Sequence, residues 1–203
     1  MASSGPNSPS SASVSSETGS RTWGGLTNIY TENGSGASSS NPLALYSYYL
    51  KATSFGFAIP TDSTVDGIVV RVVRSSVPPD GLDSAVRIIK GGAISTTDFS
   101  TGSKWAGAYH SVSYGSPTSL WGESWIPSDI NSSDFGFAVA ARNTPFAKAG
   151  HTLSVDHIGI TVYYTEGTGG SSNISKIGNV SYANVTNVSK VNKANISKII
   201  NIT

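Results

Sequence analysis

The sequence predicts an all-β protein: an antiparallel β-sandwich of jelly-roll type, set between two terminal segments of different character. Three observations support this. Large and small side chains alternate with period two in several short runs, turn-forming residues separate those runs, and no stretch shows capped 3.6-residue periodicity. Such alternation marks a strand with one buried face, and the lack of βαβ spacing points to antiparallel layers.

The elements follow in chain order. Residues 1–20 hold nine serines and two prolines, with no aromatic and no basic side chain. A segment of that kind buries too little apolar area to offset the entropy of ordering it, so composition predicts a flexible Ser-rich arm. Residues 21–166 are the predicted sandwich domain. Phe55-Gly-Phe57-Ala-Ile59, Phe135-Gly-Phe137-Ala-Val139 and Ile158-Gly-Ile160-Thr-Val162 each line one face with large side chains. Residues 68–74 and 85–90 add β-branched runs with charges spaced for solvent. Asn33-Gly34, Asn41-Pro42, Pro78-Pro79-Asp80-Gly81, Gly91-Gly92 and Ser116-Pro117 supply the turns. The connections at 92–110 and 113–130 are long for hairpins, and function in such domains tends to sit in loops of that sort. Gly167-Thr-Gly-Gly170 reads as a flexible joint.

Beyond the joint, residues 171–203 form an internal repeat with a period of eleven. Apolar residues recur at Ile174, Ile177, Val180 and Ala183, then at Val185, Val188, Val191 and Ala194, then at Ile196, Ile199 and Ile202. Steps of three, three, three and two do not fit a helical eleven-residue supercoil, which needs steps of three and four. Ile, Val, Ser, Thr and Asn are also mediocre helix formers. The stripe suits an extended chain that meets the same stripe on two other copies, a threefold bundle. A monomeric β-solenoid is the competing structure, weakened by its having fewer than three full coils. The six Asn-x-Ser/Thr triplets at Asn173, Asn179, Asn184, Asn187, Asn195 and Asn201 follow from the repeat itself and do not indicate glycosylation.

Charge and composition narrow the function. A net charge of +1 with scattered basic residues gives no field to gather nucleic acid or an anionic membrane. The chain has no cysteine, which removes thiolate metal sites and cysteine nucleophiles. His110, His151 and His157 lack metal-ligand spacing, and no Gly-x-Ser-x-Gly elbow occurs. Glu123, Asp129 and Asp134 lie close together near aromatic residues, yet Asx turns account for them better than a carboxylate pair or a calcium loop. The expectation is therefore a protein that is not an enzyme, with no catalytic, cofactor-binding or metal-binding residue. Trp105, Tyr109, Tyr114, Trp121 and Trp125 cluster in the least regular part of the core. Buried, they plug the sandwich ends; exposed, Trp105, Tyr109, Trp121 and Trp125 would face a sugar ring or protein partner.

The unit Ile174-Ser-Lys-Ile-Gly-Asn-Val-Ser-Tyr-Ala-Asn184 resembles the tandem tails of virion structural proteins of tailed bacteriophages. The core stretches Phe55-Gly-Phe-Ala-Ile-Pro60, Leu120-Trp-Gly-Glu-Ser-Trp125 and Val155-Asp-His-Ile-Gly-Ile-Thr-Val-Tyr-Tyr164 are similar to the β-sandwich domains that accompany them. The resemblance implies a capsid decoration, head-fibre or tail-associated protein whose partners are its own copies, as a homotrimer, and a capsid or tail lattice. It implies a location in the virion, assembled in host cytoplasm. That agrees with an N-terminus lacking the basic stretch and apolar core of a secretory signal. The alternative expectation is a carbohydrate-binding module that presents aromatic loops to host or environmental glycans.

Overall fold

The computed structural model describes residues 1–41, 46–144 and 150–167, together with the backbone of four two-residue strands beyond them. The chain divides into two units, Met1–Glu166 and Gly167–Thr203. The first is a β-sandwich of two five-stranded antiparallel sheets. Its strands are β1 (Ala2–Asn7), β2 (Ser11–Ser15), β3 (Ala37–Asn41), β4 (Tyr49–Thr53), β5 (Thr64–Val77), β6 (Gly81–Lys90), β7 (Ala93–Ile94), β8 (His110–Ser116), β9 (Gly136–Asn143) and β10 (His151–Thr165). One sheet runs β1-β10-β5-β8, with β3 also on β10; the other runs β2-β4-β9-β6-β7. Among the described residues helix is confined to a 3-10 segment at Leu26–Tyr30 and one α turn, α1, at Pro127–Asn131.

Period-two alternation sets the two inner faces. Ile68, Val70 and Val72 of β5 and Ile158, Ile160 and Val162 of β10 are fully buried on one side. Leu50 and Ala52 of β4, Val86 and Ile88 of β6, and Phe137, Val139 and Ala141 of β9 are fully buried on the other and share the same core. Two bulges preserve this register. One at Asp156 shifts β10 between Val155 and His157, and one at Ser84 shifts β6 between Asp83 and Ala85. Each adds a residue to one strand only, so the inward set continues beyond the irregularity.

Two expectations need correction. The Ser-rich stretch is not an unpaired arm through its first fifteen residues: β1 pairs with β10, and β2 pairs with β4. Composition weighed only apolar burial, whereas an edge strand is held mainly by main-chain hydrogen bonds that small polar side chains do not obstruct. The crossing between the sheets is fixed by Asn7 Nδ2 donating to the Phe55 carbonyl (3.0 Å) and Ser10 N donating to the Ser54 carbonyl (3.2 Å). The second correction concerns residues 55–59. Phe55, Phe57 and Ile59 are buried, as the alternation predicts, but they lie outside either sheet. Ser54 (φ 58°) and Gly56 (φ 67°) adopt left-handed backbone, which ends the β4 ladder. The Asn131 side chain then replaces a neighbouring strand, accepting from Ile59 N at 2.7 Å and donating to Ile59 O at 2.9 Å.

In the second unit, β11 (Lys176–Ile177) pairs with β12 (Val180–Ser181), and β13 (Asn187–Val188) with β14 (Val191–Asn192). Ile177 is the Cα partner of Val180, and Val188 that of Val191, so the eleven-residue period of the sequence recurs in the backbone pairing. The remaining stripe positions, Ile174, Ala183, Val185, Ala194, Ile196, Ile199 and Ile202, lie outside the described residues.

Candidate functional site

Three of the four aromatics that would face a ligand if exposed are core residues, as the buried reading has it. Trp105 and Trp121 are fully buried and Trp125 is 8% exposed. Each indole N–H is satisfied inside the protein: Trp105 by Asp83 (2.9 Å), Trp121 by the Ile68 carbonyl (2.9 Å) and Trp125 by the Leu120 carbonyl (2.9 Å). Trp121 packs on Phe99 with ring centroids 4.2 Å apart, and Trp125 stands edge-on to Phe135 at 5.4 Å. These side chains plug the sandwich under the long connections, since a buried indole needs both apolar contact and an acceptor. The half-buried Tyr109 uses its hydroxyl to accept from Gly36 N at 3.0 Å, which fixes the 33–36 turn.

The titratable groups do not converge either. Among the described residues no three His, Asp or Glu side chains are placed to hold a metal ion. Asp129 accepts from Ile126 N (3.2 Å) and pairs with Lys90 (3.3 Å), closing the first turn of α1. His151 is buried with Nδ1 2.8 Å from Asp80, while His157 Nε2 lies 2.9 Å from the Ser8 hydroxyl. Near His157, Arg71 grips Glu32 with two hydrogen bonds of 2.6 and 3.0 Å, which hold the Glu32 carboxyl below its ordinary range. Burial pushes the His157 imidazole down, so the neutral ring is favoured there.

A cleft of about 450 Å³ opens elsewhere, lined by Ser20, Arg21, Thr22, Ser40 and Tyr48. Its position follows from the path of residues 19–24, which bridge the edges of the two sheets. On one side Ser20 N and Arg21 N donate to the Tyr46 carbonyl (2.9 and 3.3 Å), and Tyr48 N donates to the Arg21 carbonyl (2.6 Å). On the other side Gly24 and Ser38 exchange both main-chain hydrogen bonds, at 2.8 and 2.9 Å. Trp23 points inward, 3% exposed, and its indole N–H donates to the Tyr48 carbonyl at 2.8 Å. Ser47 ties the segment to β9, with its hydroxyl accepting from Ala141 N at 2.9 Å.

Gly19 makes this approach possible. It has φ +72°, and a Cβ there would sit 2.1 Å from the Ser47 carbonyl oxygen. Arg21 therefore projects from a backbone held on both sides. Its guanidinium has no carboxylate partner among the described residues, and no acid lines the cleft. Tyr48 is half-buried, and Tyr46, two residues earlier, is 48% exposed. Volume and lining suit a small polar ligand. Sequence reasoning did not single out these residues. The available signal was Tyr46-Ser-Tyr-Tyr49, an aromatic run beside a hydroxyl-rich segment, but only the tertiary crossing brings Arg21 to it.

No protein-family model matches the chain, and no curated protein matches it. A solved structure described as "CBM4 structure and function" is similar over 62% of this chain and 82% of its own, at 14% identity and a TM-score of 0.37. A likeness that distant has no bearing on ligand or activity.

Proposed function

We propose that the sandwich is a non-enzymatic binding module whose ligand is a glycan, taken up in the cleft between Arg21 and Tyr48. The observation that supports this reading is the make-up of the cleft: one half-buried phenol ring, one unpaired guanidinium and the hydroxyls of Ser20, Thr22 and Ser40. A sugar offers an apolar C–H face to an aromatic ring and a rim of hydroxyls to polar side chains, and both kinds of partner are present. A glycan array with the full chain, followed by calorimetric titration, tests it. Binding should appear and should be lost in Tyr48→Ala while the circular dichroism spectrum stays unchanged. A flat array would overturn the reading.

The tail supports a second, compatible reading, in which the chain is a virion structural protein carrying such a module. The specific observation is that strand pairs recur at the repeat's own period, 176–177 with 180–181 and 187–188 with 191–192. Repeats of this kind gain stability by stacking on a neighbour. In this reading the stripe joins three copies and the assembly sits on a capsid or tail lattice as a decoration, head-fibre or tail-associated component. Solution mass of the full chain and of a chain ending at Glu166 tests the association. A monomer in both forms would rule it out.

A further inference from the structure

We propose that Asn33 and Gly34 form a self-modifying turn, in which the Gly34 amide nitrogen closes on the Asn33 carboxamide and Asp156 takes the proton. The chain has a single Asn-Gly pair, and every other asparagine precedes a residue with a side chain. Glycine leaves the attacking nitrogen unobstructed and reaches the left-handed backbone that the turn needs, φ 79° at Gly34. Asn33 is exposed, so water reaches it.

The groups that ring closure requires are already in place. The nucleophile, Gly34 N, donates to Asp156 Oδ2 at 3.1 Å, and Asn33 N donates to Asp156 Oδ1 at 3.4 Å. Asp156 sits at the β10 bulge and is 1% exposed, so its carboxylate is fixed within reach of the proton that must leave. The electrophile is held from the other side, where Asn33 Oδ1 accepts from Ser35 N at 2.9 Å. That contact folds the carboxamide over the following peptide and gives a main-chain donor to the oxygen on which charge develops. Nucleophile, base and oxyanion donor therefore meet at one short turn packed on one bulge.

The step balances. Gly34 N bonds to Asn33 Cγ, its proton passes through Asp156 to the departing Nδ2, and ammonia leaves behind a succinimide. Solvent water then opens either carbonyl of that ring, giving aspartate or isoaspartate at position 33. Either product lowers the formal net charge of +1 by one and sets a new carboxylate beside Asp156 and Glu32. Isoaspartate also lengthens the main chain of the turn in which Glu32 grips Arg71 and Gly36 N donates to Tyr109.

Incubation of the full chain at neutral pH, with peptide mapping by mass spectrometry and isoaspartyl methyltransferase labelling, tests this. A synthetic peptide of residues 30–37 in the same buffer is the unstructured reference. Asn33 should convert about tenfold or more faster in the folded chain than in the peptide, because base and oxyanion donor act only in the fold. Asp156→Asn should bring the rate down towards that of the peptide, with folding checked by circular dichroism, and Asn33→Gln should abolish conversion at this site. Conversion no faster in the folded parent than in the peptide would overturn the proposal, whether or not the Asp156 variant folds. A folded Asp156→Asn chain that converts at the parent rate would overturn the assignment of the base.

Discussion

Arg74 of β5 and Asp83 of β6 form a buried ion pair that links the two sheets through the core. Asp83 also accepts from Trp105 Nε1 (2.9 Å), the Tyr114 hydroxyl (3.0 Å) and Thr101 N (3.3 Å), while the Tyr114 hydroxyl accepts from Arg74. The guanidinium stacks 5.0 Å from the Trp105 ring centroid. Burial, reinforced by the Asp83 charge, pushes the Tyr114 phenol up, so it remains a donor at any physiological pH.

Because the pair is enclosed, removing one member leaves an uncompensated charge. Asp83→Ala or Arg74→Ala should each destabilise by about 3–5 kcal/mol. The double change Arg74→Met with Asp83→Leu should cost less than either single change, since no charge is then stranded. Chemical denaturation of the three variants measures this, and equal or additive losses would show that the network is not coupled.

The first two strands contribute edges rather than core, and their removal is a direct test of that role. Deleting residues 1–15 should lower stability by about 2–3 kcal/mol, or roughly 5–10 °C in Tm, and should promote association through the uncovered edges of β10 and β4. Thermal melts and light scattering would register both effects. An unchanged Tm would mean that the strands are dispensable ornaments on the sheets.

The contrast between these two results marks what the sequence makes legible. The inner faces of β5, β9 and β10 are visible in the alternation because each large residue is spent on the same core. Phe55, Phe57 and Ile59 carry the same pattern yet leave the sheet, because Ser54 and Gly56 turn the backbone left-handed and alternation does not report φ. Edge strands built from serine leave no hydrophobic trace, so composition predicts an arm. Burial of Trp105 and Trp121 depends on acceptors at Asp83 and Ile68, which are 22 and 53 residues away in the chain. The Arg21–Tyr48 cleft depends on a crossing between sheet edges, and no local pattern encodes that.

Acid should loosen the clasp around His157. The folded protein holds this imidazole below its ordinary value of 6.5, so the unfolded chain takes up the proton more readily. The associated stability is complete above pH 6.5 and is lost as pH falls through the lower, folded pKa. The Glu32 carboxyl, also depressed, adds a second decline that begins below its ordinary value of 4.5. The Glu32–Arg71 pair is substantially exposed, so its contribution is about 0.2–1 kcal/mol. A stability-against-pH profile should fall first near and below pH 6.5. His157→Asn should flatten that upper portion and leave the lower decline in place, whereas an unaltered profile would assign the upper portion to another group.

Gly19 separates folding from binding. With φ +72° and only 2.1 Å between a hypothetical Cβ and the Ser47 oxygen, any larger residue must push residues 19–22 away from 46–48. Residues 19–22 lie outside the buried core that neighbouring Trp23 joins, and the added Cβ must displace a main-chain carbonyl from a left-handed position, so Gly19→Ala should cost about 2–3 kcal/mol. Its effect on the cleft should be larger, because Ser20, Arg21 and Thr22 all line it and move with the displaced segment. Saccharide affinity should therefore fall by about tenfold or more while the far-ultraviolet spectrum and the denaturation slope stay as in the parent. Binding that survives this change would place the ligand somewhere other than the seam between the two sheets.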